Sequence, residues 1–222
     1  MRQPRDEAGR PEAGPEAPRR GMPAVLRPRR PEDFDALYEG TPPWETGRPQ
    51  PAMLALAETG AIRGRVLDVG CGTGEHALLA ASLGLEATGI DQAAAAIDRA
   101  REKAAQRGLE ASFVVGNVLE LAGLGEQFVT VLDSGLFHVL EDEDRQVFVD
   151  GLRAVVPAGG RYFLLCFSDR QPGMFGPRRI SQDEIRTAFA DGWRVDSIEP
   201  VMIDNAIQRG AANAWLAAIT RT

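Results

Sequence analysis

The chain has 222 residues, 44% hydrophobic and 26% charged, with a formal net charge of −7. This length and balance suit one globular domain that buries a core without staples, and the net acidity argues against broad nucleic-acid binding, which needs Lys and Arg against phosphates. Two cysteines make no disulfide framework, and no run approaches the ~18 apolar residues of a membrane helix or the apolar core of a secretory signal, so a cytoplasmic protein with no membrane partner is expected.

Residues 1–31 carry eight Arg against four acids, which leaves a net charge of −11 on the remainder. Rich in Pro and Gly and poor in apolar residues, they read as a disordered leader, with a basic docking arm as the alternative. Residues 32–222 are expected to form the domain. One Lys, Lys103, stands against 24 Arg, a bias that reads as codon usage.

From Glu32 a short helix, a Pro-rich loop and a second helix opening at Pro51 precede the first strand, "RVLDVG". Helix Glu75–Leu83 ends at Gly84, strand "EATGID" follows, and helix Gln92–Arg107 closes at Gly108. Strands "ASFVVGN" and "QFVTVLDS", helix Glu143–Val156, strand "GRYFLLCFS" and a helix with Ser181 and Glu184 as a capping box come next. "WRVDSIEPVMI" and "NAWLAAITR" end the chain as two strands joined by a loop. The alternation predicts an α/β fold with a mainly parallel sheet, helices on both faces and an antiparallel hairpin at one edge.

The first strand runs into "VGCGTGE", where Gly70, Gly72 and Gly74 admit positive φ and a close ligand. Ligands of such sheets sit beyond the carboxyl ends of the strands, near this turn. The spacing is G-x-G-x-G rather than the G-x-G-x-x-G of a dinucleotide loop, and Glu75 and Asp68 set negative charge where a phosphate would come. A cationic nucleoside without phosphate fits better. Asp91, 21 residues after Gly70, is placed to grip ribose hydroxyls. Asn117 at the end of the third strand is placed to read an adenine edge, with Val118 covering the ring.

These residues resemble class I S-adenosylmethionine-dependent methyltransferases over about residues 36–222. "VLDVGCGTG" is similar to their first motif, "GID" to their ribose acid, "GNV" to their adenine position and "VLDSGLFHVL" to the motif after their fourth strand. The family often has Asp where this chain has Asn117. The resemblance implies a Rossmann-like, seven-stranded sandwich and S-adenosyl-L-methionine as cofactor, with S-adenosyl-L-homocysteine as product. It implies cofactor contacts from Asp68, Gly70, Cys71, Gly72, Gly74, Asp91, Gln92, Asn117, Val118, Asp133 and Ser134. With a methyl group that is already electrophilic, holding a nucleophile in line can supply about 7–11 kcal/mol. No metal is required, and the two histidines form no ligand cluster.

"TPPWETGRPQP" resembles a segment of the thiol, halide and thiopurine methyltransferase branch, in which the tryptophan borders the cofactor. That makes Trp44 a cofactor contact, against the plainer reading of a tryptophan packing its loop, and points to a soft acceptor. A thiol, with a pKa of ~8.5, needs little base help, whereas a hydroxyl or amide needs more. The candidate base is His138, which Phe137 and Val139 flank. In the loop after the fifth strand, Phe175, Arg178 and Arg179 are expected to join Phe137 and His138 in the substrate pocket, the arginines contacting an anionic group. The expected function is methyl transfer to a small molecule, preferably a thiol or other soft nucleophile. O- or N-methylation of a secondary metabolite, a cofactor-binding module without turnover and a nicotinamide oxidoreductase are the rivals.

Overall fold

A computed structural model describes residues 31–173, 176–205 and 211–222. The leader, apart from Pro31, and the expected pocket residue Phe175 lie outside the described residues. Among the described residues six helices, α1 (Pro31–Tyr38), α2 (Pro51–Glu58), α3 (Glu75–Ser82), α4 (Ala94–Arg107), α5 (Asp142–Val155) and α6 (Gln182–Ala188), flank one sheet. Its strands are β1 (Val66–Val69), β2 (Ala87–Asp91), β3 (Ser112–Val115), β4 (Thr130–Ser134), β5 (Arg161–Phe167), β6 (Trp193–Asp204) and β7 (Ala211–Arg221).

The spatial order is β3-β2-β1-β4-β5-β7-β6. The first five strands pair in parallel, β1 matching Val66 to Ala87 on one side and to Thr130 on the other. From β1 the chain winds out to β3, then returns to lay β4 against the other side of β1. The strand order therefore reverses between β1 and β4, and a crevice opens beyond their carboxyl ends. β7 runs antiparallel between β5 and the edge strand β6, which is the hairpin expected from the last two apolar runs.

Strand β5 shows why the sheet is covered on both faces. Tyr162, Leu164 and Cys166 enter the core beneath α5 and α6, while Phe163 and Leu165 enter the core beneath α2, α3 and α4. An uninterrupted apolar run is what a two-sided strand requires, since alternate side chains point to opposite faces. Helix α4 approaches closely because Ala96, Ala100 and Ala104, four residues apart, form its buried stripe. It stops at Gly108, whose φ is 62°. The Ser181–Glu184 capping box is formed in both directions. A 3-10 turn over Val118–Leu124, capped by Asn117, fills a stretch the sequence left without an element.

Candidate functional site

The loop from β1 to α3 carries the three glycines at φ of 63°, 52° and 84° for Gly70, Gly72 and Gly74. Each is bare for its own reason. A Cβ on Gly74 would lie 2.6 Å from Phe113 Cε1 and 2.9 Å from Ala100 Cβ, so this glycine seats the loop on β3 and α4. That corrects the expectation that all three clear space for a ligand. A Cβ on Gly70 would meet Leu136 Cβ at 3.0 Å, and one on Gly72 the Tyr38 hydroxyl at 2.8 Å. The Cys71 thiol is buried beneath the loop, and burial pushes its pKa well up.

The carboxylates divide into one on the crevice and two inside. Asp91, at the end of β2, accepts the Gly72 N–H at 2.8 Å through Oδ2 and the Ala93 N–H at 2.9 Å through Oδ1. It fixes the glycine loop and the start of α4 together. Burial raises its pKa, and Asp35 adds to the rise. Asp68 is 1% exposed and accepts the Ala77 N–H at 3.0 Å. Burial pushes it up to about 8, with Asp133 and Asp91 contributing, so it holds a proton at neutral pH. Asp133 is fully buried and accepts from Leu136 N at 2.9 Å and from the Tyr162 hydroxyl at 2.7 Å; burial pushes it up to about 7. Asp68 and Asp133 are thus internal ties of the α3 start and of the turn after β4, which corrects their placement against the cofactor.

Glu75 does not face the crevice as a free charge either. Lys103 donates to it at 2.8 Å and Arg107 at 2.8 and 2.9 Å. Burial works against its charge, but Arg107 and Lys103 outweigh burial and hold its carboxyl below the usual value. The expected repulsion of phosphate from this position is therefore already neutralised.

Along the rest of the carboxyl edge, Gln92 and Ser134 are half-buried, Asn117 is exposed and Val118 is buried. Asn117 Oδ1 accepts the Leu119 N–H at 3.0 Å, which leaves its amide N–H groups outward. The Gly116 N–H reaches the Asp91 carbonyl at 2.9 Å and locks the ends of β3 and β2 together. Asn117, Asp91, the glycine loop and Ser134 consequently line one edge in the strand order β3, β2, β1 and β4.

Above Gly72 lies a part of the site that the sequence reading did not find. Tyr38, at the end of α1, is 3% exposed, and its hydroxyl accepts the Trp44 Nε1–H at 2.9 Å. Trp44 is 42% exposed, edge-on to Tyr38 with centroids 6.4 Å apart. It also lies tilted against Phe34 of α1, with centroids 6.5 Å apart. Burial and the Asp91 charge raise the Tyr38 phenol far above its usual value, so it stays neutral. The signal available in the sequence was a tyrosine closing a short helix six residues before the exposed tryptophan.

On the substrate side, His138 is 6% exposed, and its Nδ1 accepts the Phe167 N–H at 3.1 Å. In a neutral imidazole this leaves the proton on Nε2. Burial pushes its pKa down to about 3, helped by the guanidinium groups of Arg145 and Arg179. The lone pair a base would use is occupied, which corrects His138 as a proton acceptor. His76 likewise accepts the Gln50 N–H at 3.2 Å, and burial pushes it down to about 4. Phe137 is fully buried against Phe189, with the Arg145 guanidinium 4.8 Å from its ring, and it borders a cleft of about 370 Å³ that Arg178 also lines. Arg178 is bound to Asp142 and Glu184, which joins α5 to α6 beside the same cleft. Arg179 donates to the carbonyls of Gln171 at 3.2 Å and Pro177 at 2.6 Å, and lies 5.2 Å over the Phe167 ring. Among the described residues no His, Cys, Asp or Glu group forms a metal-binding cluster, and no helix is long and apolar enough to cross a membrane.

Residues 66–160 match the family model described as "Methyltransferase domain". The chain is 35% identical over 207 residues to the 2-heptyl-1-hydroxyquinolin-4(1H)-one methyltransferase of Mycobacteroides abscessus, an alignment covering 82% of this chain and 91% of that one. It is 26% identical over 155 residues to probable thiol methyltransferase 2 of Arabidopsis thaliana, covering 65% of each. Among solved structures it superposes with a TM-score of 0.80 and 38% identity, over 86% of this chain and 93% of the other, on the one described as "Conversion of a Disulfide Bond into a Thioacetal Group during Echinomycin Biosynthesis". The nicotinamide oxidoreductase is thereby set aside. A glycine loop at the β1–β4 switch point, an acid closing β2 and this likeness along nearly the whole relative place the chain in one family: it belongs to the class I S-adenosylmethionine-dependent methyltransferases, as a methyltransferase of small molecules.

Proposed function

We propose that the chain methylates an acceptor that reaches the site already ionised, a thiol or an N-hydroxy group on a heteroaromatic ring, without a proton acceptor from the protein. The observation that carries this reading is the His138 ring, whose Nδ1 is taken by the Phe167 N–H at 3.1 Å. A thiol is partly ionised and strongly nucleophilic near neutral pH, and an N-hydroxy group conjugated to a ring carbonyl is acidic enough to do the same. The names of the relatives support this: one acts on a 1-hydroxyquinolin-4(1H)-one, another is a probable thiol methyltransferase, and the echinomycin structure concerns sulfur chemistry.

The residues fit S-adenosylmethionine. Gly72 leaves a cradle that a Cβ would close against Tyr38. Each oxygen of Asp91 accepts one main-chain N–H, which leaves lone pairs for two ribose hydroxyls. The Asn117 amide, with Oδ1 engaged by Leu119 N, presents N–H donors to an adenine ring nitrogen, and Val118 supplies an apolar wall. Trp44 offers its ring face to a cation. When bound, the cofactor supplies a sulfonium-activated methyl group for direct transfer. The task left to the chain is to orient the acceptor and exclude water. The Nε2–H of His138 is a donor that can hold an acceptor oxygen or sulfur anion in line.

The test is an acceptor panel with S-adenosylmethionine, read by mass spectrometry. It contains an alkyl thiol, an aryl thiol, a 1-hydroxyquinolin-4-one, the same quinolone without the N-hydroxy group, a phenol and an amine. Methylation of a thiol or of the N-hydroxy compound is expected. Turnover of the phenol or amine alone would overturn the reading.

A further inference from the structure

The segment between α1 and α2 crosses the glycine loop as a strap, and few apolar contacts hold it. Most of residues 39–49 are exposed or half-buried, and a cleft of about 330 Å³ lies beside it, lined by Thr41, Glu45, Thr73, Arg99 and Lys103 among others. A segment with so little burial is held by its polar ties or it opens. At its ends the ties are to main chain and edge strand. Arg99 donates to the carbonyls of Tyr38 and of Gly40, the latter at 3.1 Å, and Gln50 pairs both ways with the Asp204 backbone at 3.1 and 2.8 Å. In its middle, Trp44 bonds back to Tyr38 of α1, and one knot ties the strap to the glycine loop. Lys103 Nζ donates to Glu45 Oε1 at 3.2 Å, to Thr73 Oγ1 and to Glu75 Oε1 at 2.8 Å, while the Thr73 hydroxyl also donates to Glu45. Lys103 is 22% exposed and Glu45 14%, so water screens this pair only partly.

We propose that Lys103 is a positioning residue for the cofactor: its ammonium latches the strap, and with it Trp44 and Tyr38, onto the glycine loop through Glu45 and Thr73, so that the grip on the cofactor depends on this one knot. The proposal rests on the placement of the cofactor against Gly70–Gly74. It gives a physical role to the chain's single lysine, which among the described residues is the basic side chain that joins strap, loop and the first turn of α3. A compact ammonium with three donors suits three acceptors converging from different directions.

The test is titration of S-adenosylhomocysteine into the wild type, K103M, K103R and R107M, by calorimetry and by stopped-flow release, with melting temperatures measured in parallel. Arg107 shares Glu75 and senses Glu45 only through space, with no hydrogen bond to the strap among the described residues, so R107M controls for the α3–α4 tie. The expected result is that K103M binds about ten-fold more weakly, by faster release, because the closed strap becomes a minor state. K103R recovers most of the affinity, and R107M binds as the wild type does. K103M binding as tightly as the wild type, or K103M and R107M weakening alike, overturns the latch. A wild type that does not bind S-adenosylhomocysteine overturns the placement of the cofactor, a separate and recognisable failure.

Discussion

His138 Nδ1 accepts the main-chain N–H of Phe167 at 3.1 Å, and this one bond decides what the ring can do. It ties the turn after β4 to the end of β5, fixes the proton on Nε2 and leaves the ring a donor. Replacing His138 with Ala should therefore lower kcat by less than ~10-fold, well short of the 10²–10⁴-fold loss of a general base. In nitrogen NMR the ring should hold the Nε2–H tautomer and show no titration between about pH 5 and 8.

Buried acids and imidazoles give the stability a defined pH dependence. Asp68 and Asp133 are raised to about 8 and about 7, so the native state binds their protons where the unfolded state has released them. That contribution is lost as pH rises through these values. His138 and His76 are lowered to about 3 and about 4. Their contribution is complete above the unfolded value of ~6.5 and is lost as pH falls below it. The two effects oppose each other between about pH 4 and 6.5 and leave a plateau, followed by a decline up to about pH 8. Urea titrations across this range should show that decline, and Asp68→Asn, which keeps an acceptor for the Ala77 N–H, should reduce it.

The glycines separate stability from binding. Gly74→Ala forces a Cβ to 2.6 Å from Phe113 at a φ of 84°, and should cost about 2–4 kcal/mol in chemical denaturation. Gly72→Ala meets the Tyr38 hydroxyl at 2.8 Å, at a φ of 52°, which should cost about 1–2 kcal/mol of backbone strain. Unlike Gly74→Ala, it should in addition weaken S-adenosylhomocysteine binding, read by calorimetry.

Arg178 holds α5 to α6 through Asp142 and Glu184. It is largely shielded while Asp142 is exposed, so Arg178→Met should cost about 1 kcal/mol of stability and leave the KM of an anionic acceptor unchanged. A large rise in that KM would place Arg178 in the substrate pocket.

The element order and the two-sided sheet were legible because burial writes itself into local pattern: "RYFLLCF" reads as a strand covered on both faces, and Ser181 with Glu184 as a helix start. The glycine loop and Asp91 were legible from their position after strands. The states of the acids were not. Asp68, Asp133 and Glu75 look alike in sequence, and only tertiary burial and the partners Tyr162, Lys103 and Arg107 make one neutral, one a turn tie and one an ion pair. Tyr38 was missed, and Lys103 was read only as a sign of codon usage, because their partners lie in distant segments, Gly72 for one and Glu45 and Thr73 for the other. His138 was found, but its role was not, since the tautomer depends on a backbone N–H 29 residues away.

The most direct measurement is the pH dependence of kcat/KM for two accepted substrates whose acceptor groups differ in pKa by two or more. If the acceptor brings its own charge, each profile rises at the ionisation of its own substrate, and the two inflections separate by that difference. A single inflection shared by both, set by the protein and abolished in His138→Ala, would contradict an active site that works without a base.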